Sequence, residues 1–277
     1  MITIARLTVR ETLRRRVVVV LALLTVLFAL GVAWGFDRLA SIAREHAALD
    51  TQIKVVTAQL LVMVMFMFSF IVGMTAVFVT SPTIAGEVES GVLLAVLARP
   101  IRREAVLLGK WLGSAIVVMA YALAGGAIIV AIVAATTGYV PPNVAAALGY
   151  LEAETLVGVT LAILLSTLVP PMAGGAIAVA GFGAVWIAGV AASIGRILNN
   201  DALTRVGTIS QLLLPTDALW RGTVFHLEPA AVLLAGQGLG NPFLSLSAPT
   251  PQFLAWCVFW VAAVLGAAML SFRSRGL

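Results

Sequence analysis

The hydrophobic positions of this chain form long runs, and most of the polar positions lie between those runs. A bilayer hydrocarbon core about 30 Å thick is crossed by roughly 20 apolar residues in a helix. Six runs have this length: residues 17–36, 55–80, 111–135, 147–169, 172–195 and 253–272. The pattern predicts an all-α polytopic membrane protein with six transmembrane helices, in which residues 1–277 form a single transmembrane domain.

Composition and charge support this class and give the chain an orientation. Hydrophobic residues make up 61% of the chain and charged residues 10%, whereas soluble domains have about 25% charged residues. The side with the two termini and the loop after the second run holds eleven basic and four acidic residues, and the other side holds six of each. This excess of Lys and Arg predicts a cell-membrane protein with both termini in the cytoplasm. No basic and aromatic pattern indicates nucleic acid as a partner.

Two further apolar stretches are predicted not to cross the membrane. The stretch at 92–98 is too short, and the external segment 196–251 has ionisable residues within its apolar part. Exposure of such residues to lipid is unfavourable. We expect the segment to form one or two short helices that cap the external exit, with Thr216 as an N-cap and Asp217 paired to Arg221.

The first 16 residues are too polar to cross the membrane and predict an interfacial helix on the cytoplasmic leaflet. Ile4 and Leu7 lie near one side of this helix. Its basic residues are expected to contact anionic lipid headgroups. They are Arg6, Arg10, Arg14, Arg15 and Arg16. The alternative is an ordinary basic tail that only sets the orientation.

A charged and partly amphipathic stretch, GEVESGVLLAVLARPIRREAVLLGK, lies in the predicted cytoplasmic loop 81–110. It predicts a short helix, a break at Pro100 and a second short helix. The first of these helices has an apolar stripe made of Val92, Leu93, Val96 and Leu97. A stripe on a cytoplasmic loop has to be buried against the ends of its own spans, lipid or another protein. A solvated loop whose bases only set the orientation is the alternative.

This stretch resembles the ABC-2 type permeases, the membrane subunits of ATP-binding-cassette exporters. That family has an acidic residue beyond span two, a Gly, an apolar helix, a Pro between basic residues and a Gly-Lys at span three. Here these features are Glu87 or Glu89, Gly91, residues 92–98, Arg99-Pro100-Ile101-Arg102 and Gly109-Lys110. The interfacial helix, the six spans and the long last external segment also match. The Gly-Thr that usually follows the acidic pair is Gly91-Val92 here.

The resemblance implies that the chain pairs with a second permease, identical or different, and that each permease contacts a separate ATPase. The loop would supply a coupling helix for a groove of the ATPase, with an apolar anchor and a charged rim. The anchor would be Val92, Leu93, Val96 and Leu97, next to Gly91. The rim would be Glu87, Glu89, Arg99, Arg102 and Arg103, around Pro100. The implied function is export of a hydrophobic or amphiphilic substrate.

The chain lacks the motif of an ATPase. A P-loop requires G-x-x-x-x-G-K-[ST], but Glu104 stands where the first Gly belongs and Trp111 follows Lys110. No H-E-x-x-H or G-x-S-x-G motif is present either. We therefore expect a transporter subunit and not an enzyme. It would hold no cofactor of its own, and ATP and Mg²⁺ would be bound by the partner ATPase.

Two carboxylates, Glu152 and Glu154, lie inside the fourth apolar run. Intramembrane carboxylates are candidates for a transport pathway, here for a cation, a proton or a polar substrate headgroup. The two residues face different directions on a helix, and a position near the helix N-terminus would stabilise them without such a role. Met63, Met67 and Met74 are expected to pack, so no metal site is predicted.

Two other functional classes remain open. An ion-coupled secondary transporter or channel would use Glu152 and Glu154, and it predicts inverted repeats and broken spans, neither of which is evident. A non-transporting membrane assembly scaffold is the other class. It would lose a partner, without uncoupling ATP hydrolysis, when the anchor is mutated.

Overall fold

The structure is a computed structural model, described here for residues 1–45, 50–89, 91, 102–229, 245 and 247–274. Within these ranges the chain forms ten α-helices, a 3₁₀ turn at Ser81–Thr83 and no strand. The helices are α1 (Ile2–Leu13), α2 (Arg16–Glu45), α3 (Asp50–Thr80), α4 (Ala85–Glu89), α5 (Arg103–Thr137), α6 (Val144–Leu168), α7 (Pro171–Ile197), α8 (Asp201–Leu213), α9 (Thr216–Leu227) and α10 (Pro251–Ser274).

Six of the described helices are long and apolar enough to cross a membrane, which confirms the predicted class and number of spans. They are α2, α3, α5, α6, α7 and α10. The first extends beyond the predicted 17–36, because α2 continues to Glu45. The third begins at Arg103 and not at 111. Residues 103–110 include the charged Arg103, Glu104 and Lys110, and each of these side chains has a partner inside the protein.

Helix α6 lies at the centre of the bundle. In the most apolar stretch of α6, 61% of the residues are buried, compared with 6% in the corresponding stretch of α2. Leu151 of α6 packs in the main core with Leu61 and Phe68 of α3, and all three side chains are almost fully buried. Helix α2 lies at the periphery, and its exposed Leu27 and Trp34 suit contact with lipid.

One end of the bundle, which we call the α1 end, gathers the start of α5, the start of α7 and the end of α10. The Ser81 hydroxyl donates to the carbonyl of Pro171 at 2.8 Å, and the Ser271 hydroxyl donates to that of Thr167 at 3.3 Å. The elements with the described basic residues of the predicted cytoplasmic side therefore meet here. The turns after α5 and α7 lie at the opposite end.

Helix α1 crosses α5 at two glycines one turn apart. A Cβ on Gly109 would lie 2.7 Å from the Cβ of Ile4, and one on Gly113 would lie 2.7 Å from the Cβ of Thr8. The second would also lie 2.8 Å from the carbonyl of Ala5. Only a residue without a side chain permits this approach, as in other close helix contacts in membranes.

The face of α1 that packs on α5 consists of small and hydroxyl-bearing residues. Ala5, Thr8 and Thr12 are buried, while Leu7 and Leu13 are exposed. The two leucines leave apolar surface at the α1 end of the bundle. This surface is compatible with the predicted interfacial position of the helix.

The segment between α7 and α10 folds back into the bundle as a helical hairpin. Helix α8 runs antiparallel to α7, because Leu203 packs at Gly195 and Leu214 reaches Gly181. Gly181 lies 16 residues before the end of α7, or about 24 Å at 1.5 Å per residue. We expected short helices that cap the exit. In the structure α9 is buried against α6, whereas α8 lies along α7 with its other face exposed.

Helix α9 returns along α6 with most of its surface buried. The Thr223 hydroxyl donates to the carbonyl of Ala147 at 3.2 Å, and the Trp260 indole donates to the carbonyl of Leu213 at 2.7 Å. These bonds satisfy polar groups that lipid could not satisfy. The predicted N-cap is wrong by one residue, because Pro215 occupies the cap and Thr216 begins the helix without a side-chain capping bond.

Replacing Gly113 by Leu is expected to displace α1, because the new side chain would overlap Ala5 and Thr8. Overpacking of this kind costs about 1–3 kcal/mol. The melting temperature of the purified protein in detergent should fall, and trypsin should cleave α1 faster. Gly266→Leu on α10 is the matched control, since a Cβ there meets no described atom within 4 Å. Equal melting temperatures for the two variants would contradict the close approach.

Candidate functional site

The predicted coupling segment is held by a buried polar contact between its two sides. The Lys110 ammonium on α5 donates to the carbonyl of Thr83 at 2.7 Å and forms an ion pair with Glu87 on α4. Lys110 is only 6% exposed. Because the pair lies largely out of water, it ties the turn after α3 to the first turns of α5.

An apolar cluster lies under this ion pair. Ile84 and Leu107 are fully buried, and Phe272 of α10 is 1% exposed beside them. Glu104 also forms an ion pair with Arg273 at the end of α10. The end of α3, the start of α5 and the end of α10 are therefore joined into one packed unit.

Five of the eleven predicted coupling residues are described. The other six, Val92, Leu93, Val96, Leu97, Arg99 and Pro100, lie outside the described residues. Glu87 pairs inside the chain, while Glu89 and Arg102 are exposed. Gly91 has a φ of 73°, a left-handed conformation that glycine adopts most easily. Arg103 donates to a main-chain carbonyl at the end of α10 at 3.2 Å. Glu87 thus has an internal partner that the prediction of a charged rim did not include.

The arginines predicted to contact the membrane lie on accessible surface. Arg6, Arg10, Arg14 and Arg16 are exposed. Arg15 is half-buried and pairs with Glu11 at 2.6 Å. Their contact with lipid headgroups stays a prediction.

A cavity of about 30 Å³ lies between α3, α6 and α7, closed at one end by the hairpin tip. A crevice of about 10 Å³ is lined partly by the same residues. The larger cavity has an apolar wall that includes Phe70, Met74, Leu161 and Phe182. Its polar side is formed by Ser69, Glu154, Thr155 and Thr216. The space therefore combines an apolar surface with one ionisable group.

Glu154 is the ionisable group of this cavity and is 5% exposed. Its Oε1 accepts a hydrogen bond from the Ser69 hydroxyl at 2.9 Å. Its Oε2 is enclosed and has no hydrogen-bond partner among the described residues. Glu154 lies ten residues into α6, about 15 Å along the helix. The structure thus places it near the middle of the bundle and not at interface depth.

Glu152 lies on a different side of α6, as the spacing of two residues requires. It is half-buried, and its Oε1 is enclosed without a hydrogen-bond partner among the described residues. It lines neither the cavity nor the crevice. The two predicted pathway residues therefore do not form one site, and only Glu154 faces the cavity.

An ion pair between Arg221 and Asp217 lies at the tip of the hairpin, next to Glu154. Arg221 donates to Asp217 at 2.8 Å, as predicted, and also to the carbonyl of Gly189 at 2.8 Å. Gln211 donates to the same Asp217 oxygen at 2.7 Å. The carboxylate lies so close to Gly189 that any Cβ there would overlap it.

Sequence reasoning missed three features of the site. Ser69 was not singled out, although a hydroxyl inside the apolar run VMVMFMFSF is a usable signal. Lys110 and Glu87 are 23 positions apart, so no local sequence pattern indicated that they pair. Thr216 reaches the cavity only because the hairpin folds inward. No group of three His, Cys, Asp or Glu that could hold a metal occurs in the described part of the chain.

A further buried carboxylate, Glu228, lies at the end of the bundle opposite α1. It follows α9, is 2% exposed, and its Oε2 has no partner among the described residues. Burial raises the pKa of the Glu228 carboxyl to about 7. The Tyr139 hydroxyl donates to the carbonyl of Leu227 at 2.7 Å. Burial, with a smaller effect of Glu228, raises the pKa of Tyr139 above its ordinary value.

Comparison with known proteins gives two matches. A family model described as "ABC-2 family transporter protein" matches residues 2–277. The chain is also 29% identical over 123 residues to the "Probable ABC transporter permease protein NosY" of Pseudomonas aeruginosa. That alignment covers 44% of this chain and 42% of the relative, so it spans less than half of either protein.

Lys110→Met is expected to destabilise the protein by about 3–5 kcal/mol, because it leaves Glu87 without its cation in a largely buried place. The double variant Glu87→Gln/Lys110→Met should recover much of this loss. The free energy of unfolding in mixed micelles measures the effect. Glu11→Gln is the control, since its ion pair with Arg15 is more exposed and should contribute at most about 1 kcal/mol. A double variant no more stable than the single one would contradict the argument.

Glu228 is expected to make the protein less stable as the pH rises. The carboxyl titrates near pH 4.5 when unfolded and near pH 7 when folded, so the folded protein holds the proton more tightly. The stabilisation is complete below about pH 4.5 and is lost as the pH rises through about 7. It amounts to at most about 3 kcal/mol.

Melting temperatures at pH 5 and pH 8 test this dependence. The wild type should lose more stability between these two values than Glu228→Gln, which has no titrating group at this position. Asp201→Asn, at an exposed acid, should behave as the wild type does. An identical pH dependence of the wild type and Glu228→Gln would show that this carboxyl does not control it.

Proposed function

Because the chain belongs to the ABC-2 family of transporter proteins, we propose that it is the permease of an ABC transporter and forms the translocation pathway. A separate P-loop ATPase subunit binds ATP and Mg²⁺ and performs the hydrolysis. The permease works with a second permease, identical or related, in the cell membrane. Both termini lie in the cytoplasm, and the transporter exports a hydrophobic or amphiphilic substrate.

The observation that carries this proposal is the buried Glu87–Lys110 ion pair, with the bond from Lys110 to Thr83. A coupling segment is useful only if movement of the segment reaches the spans. The ion pair and the apolar cluster beneath it fix the residues before and after the segment to α3, α5 and α10. A displacement at residues 92–101 would therefore move these helices together.

The same contacts lead from the coupling segment to the cavity. Thr83 follows directly after α3, and Ser69 of α3 lines the cavity. These two residues are 14 positions apart, or about 21 Å if the rise per residue is 1.5 Å. A tilt of α3 against α6 and α7 would therefore widen or close the cavity. Such a change is the step that ATP binding has to drive in the proposed transporter.

The composition of the cavity supports an amphiphilic cargo. Its wall is mainly apolar, and Glu154 is the one ionisable side chain that faces it among the residues that the structure describes. Phe70 lines the cavity and is 40% exposed at the surface of the bundle. Apolar molecules in the bilayer could therefore approach this side directly. The similarity to an ABC transporter permease supports the same role.

Ion-coupled transport through Glu154 is a second candidate function. The unpartnered Oε2 of this carboxylate favours it, because proton and cation pathways use such groups. An ion-coupled carrier would move its substrate along an ion gradient without nucleotide. Transport that continues in proteoliposomes without ATP would favour this candidate over the ABC transporter.

Co-purification from the native host tests the main proposal. The wild-type chain should retain a P-loop ATPase in stoichiometric amounts. Replacement of Val92, Leu93, Val96 and Leu97 by Ser should reduce its recovery at least tenfold, because the apolar contact is lost. The control is Ile197→Ser/Leu198→Ser, which changes two exposed apolar residues at the opposite end of the bundle.

Each result has a distinct consequence. If the wild-type chain retains no ATPase under conditions that preserve its fold, the proposed transporter is wrong. If the variant with all four Ser replacements retains the ATPase as well as the control does, the coupling segment lies elsewhere. Loss of the ATPase from both variants would point to a general structural effect and would also contradict the assigned contact.

A further inference from the structure

Glu154 is a buried carboxyl group in the middle of the bundle, and no described residue forms an ion pair with it. Glu154 accepts one hydrogen bond, from Ser69, and its second oxygen has none among the described residues. A carboxylate in this position loses its hydration without gaining a cation, which is strongly unfavourable. A proton or a cationic group from outside the chain is therefore needed to satisfy it.

The cations nearest to this region are already engaged. Arg221 binds Asp217 and the carbonyl of Gly189. Arg196 donates to the hydroxyl of Ser193 at 3.0 Å. Asp217 is neutralised by Arg221, so Glu154 is the acid of this crevice that has no cation beside it among the described residues.

Aromatic rings surround the same crevice. Phe66 lies 5.1 Å from Trp186 and 5.6 Å from Trp220, measured between ring centroids. All three line the crevice together with Glu154. In the adjoining cavity, Phe70 and Phe182 have centroids 6.2 Å apart. Aromatic faces attract cations, and Trp does so most strongly.

The size and polarity of the space select the kind of cation. The cavity of about 30 Å³ and the crevice of about 10 Å³ have room for a group about the size of a water molecule. An –NH₃⁺ group has this size, while a trimethylammonium group is several times larger. The hydroxyl oxygens of Ser69 and Thr155 donate to other groups but can still accept N–H bonds.

From these observations we infer that the cavity binds a primary ammonium group attached to an apolar body, with Glu154 as its counter-ion. The ammonium enters between Glu154 and the aromatic rings of the crevice. The apolar body lies outside this small cavity, against the exposed ring of Phe70 on α3. The inference rests on the proposed function, because it names the chemical class of the cargo in the same pathway.

Equilibrium binding of radiolabelled octylammonium to the full chain tests the inference. The chain is placed in nanodiscs of zwitterionic lipid, and binding to empty nanodiscs is subtracted. Octylammonium should bind saturably, and unlabelled octylammonium should displace it. Octyltrimethylammonium and octanol should be at least tenfold weaker competitors, because the first is too large and the second has no charge. Equal competition by octanol would overturn the role of the charge.

Glu154→Gln should weaken octylammonium binding at least tenfold. Glu152→Gln is the matched comparison, because it removes the same charge from the same helix outside the cavity and should change the affinity less than twofold. Equal weakening in both variants would attribute the effect to net charge and overturn the inference. Unchanged binding in Glu154→Gln would also overturn it and leave Glu154 as a protonated structural group.

The competition series on the wild type decides the question even if Glu154→Gln does not fold. The result is also separable from that of the proposed function. If the ATPase co-purifies but octylammonium shows no saturable binding, the transporter stands and the ammonium site does not. If octylammonium binds as expected but no ATPase is retained, the site stands as that of a different carrier.

Discussion

The structure depends on one constraint, which is that a bilayer core offers polar groups neither hydrogen bonds nor counter-ions. The chain meets the constraint by pairing polar side chains with each other or with main-chain carbonyls. Lys110 pairs with Glu87 and binds Thr83, and Asp217 pairs with Arg221 inside the hairpin. These contacts allow charged segments to pack against apolar helices.

The same constraint links stability to function. At the α1 end, paired charges hold the two sides of the proposed coupling segment and join them to the spans. In the middle of the bundle the constraint is not met within the described part of the chain, because one oxygen of Glu154 has no partner there. A buried group that the chain does not satisfy is costly, and such groups are usually retained where a ligand or a proton completes them. The proposed transporter requires both features, a rigid connection at the α1 end and an unsatisfied polar group in the middle of the bundle.

The class of the protein and much of its layout were predictable from the sequence. Hydrophobic run length and charge distribution gave six spans, because both are local properties of the chain. The loop motif gave the family for the same reason. Prediction was less accurate where distant residues meet. The helix of the third span begins eight residues before the predicted span, since hydropathy counts Lys110 as polar and cannot see its partners on α4 and at Thr83.

The sequence by itself determined a six-span helical membrane protein with a charged loop after its second span and two carboxylates in its fourth span. Only the tertiary structure decided that the segment after the fifth span enters the bundle, that Glu87 pairs inside the chain, and that Glu154 alone faces the cavity. The physical reason is that hydropathy sums the contributions of single residues. The burial of a charge depends on which distant groups fold beside it.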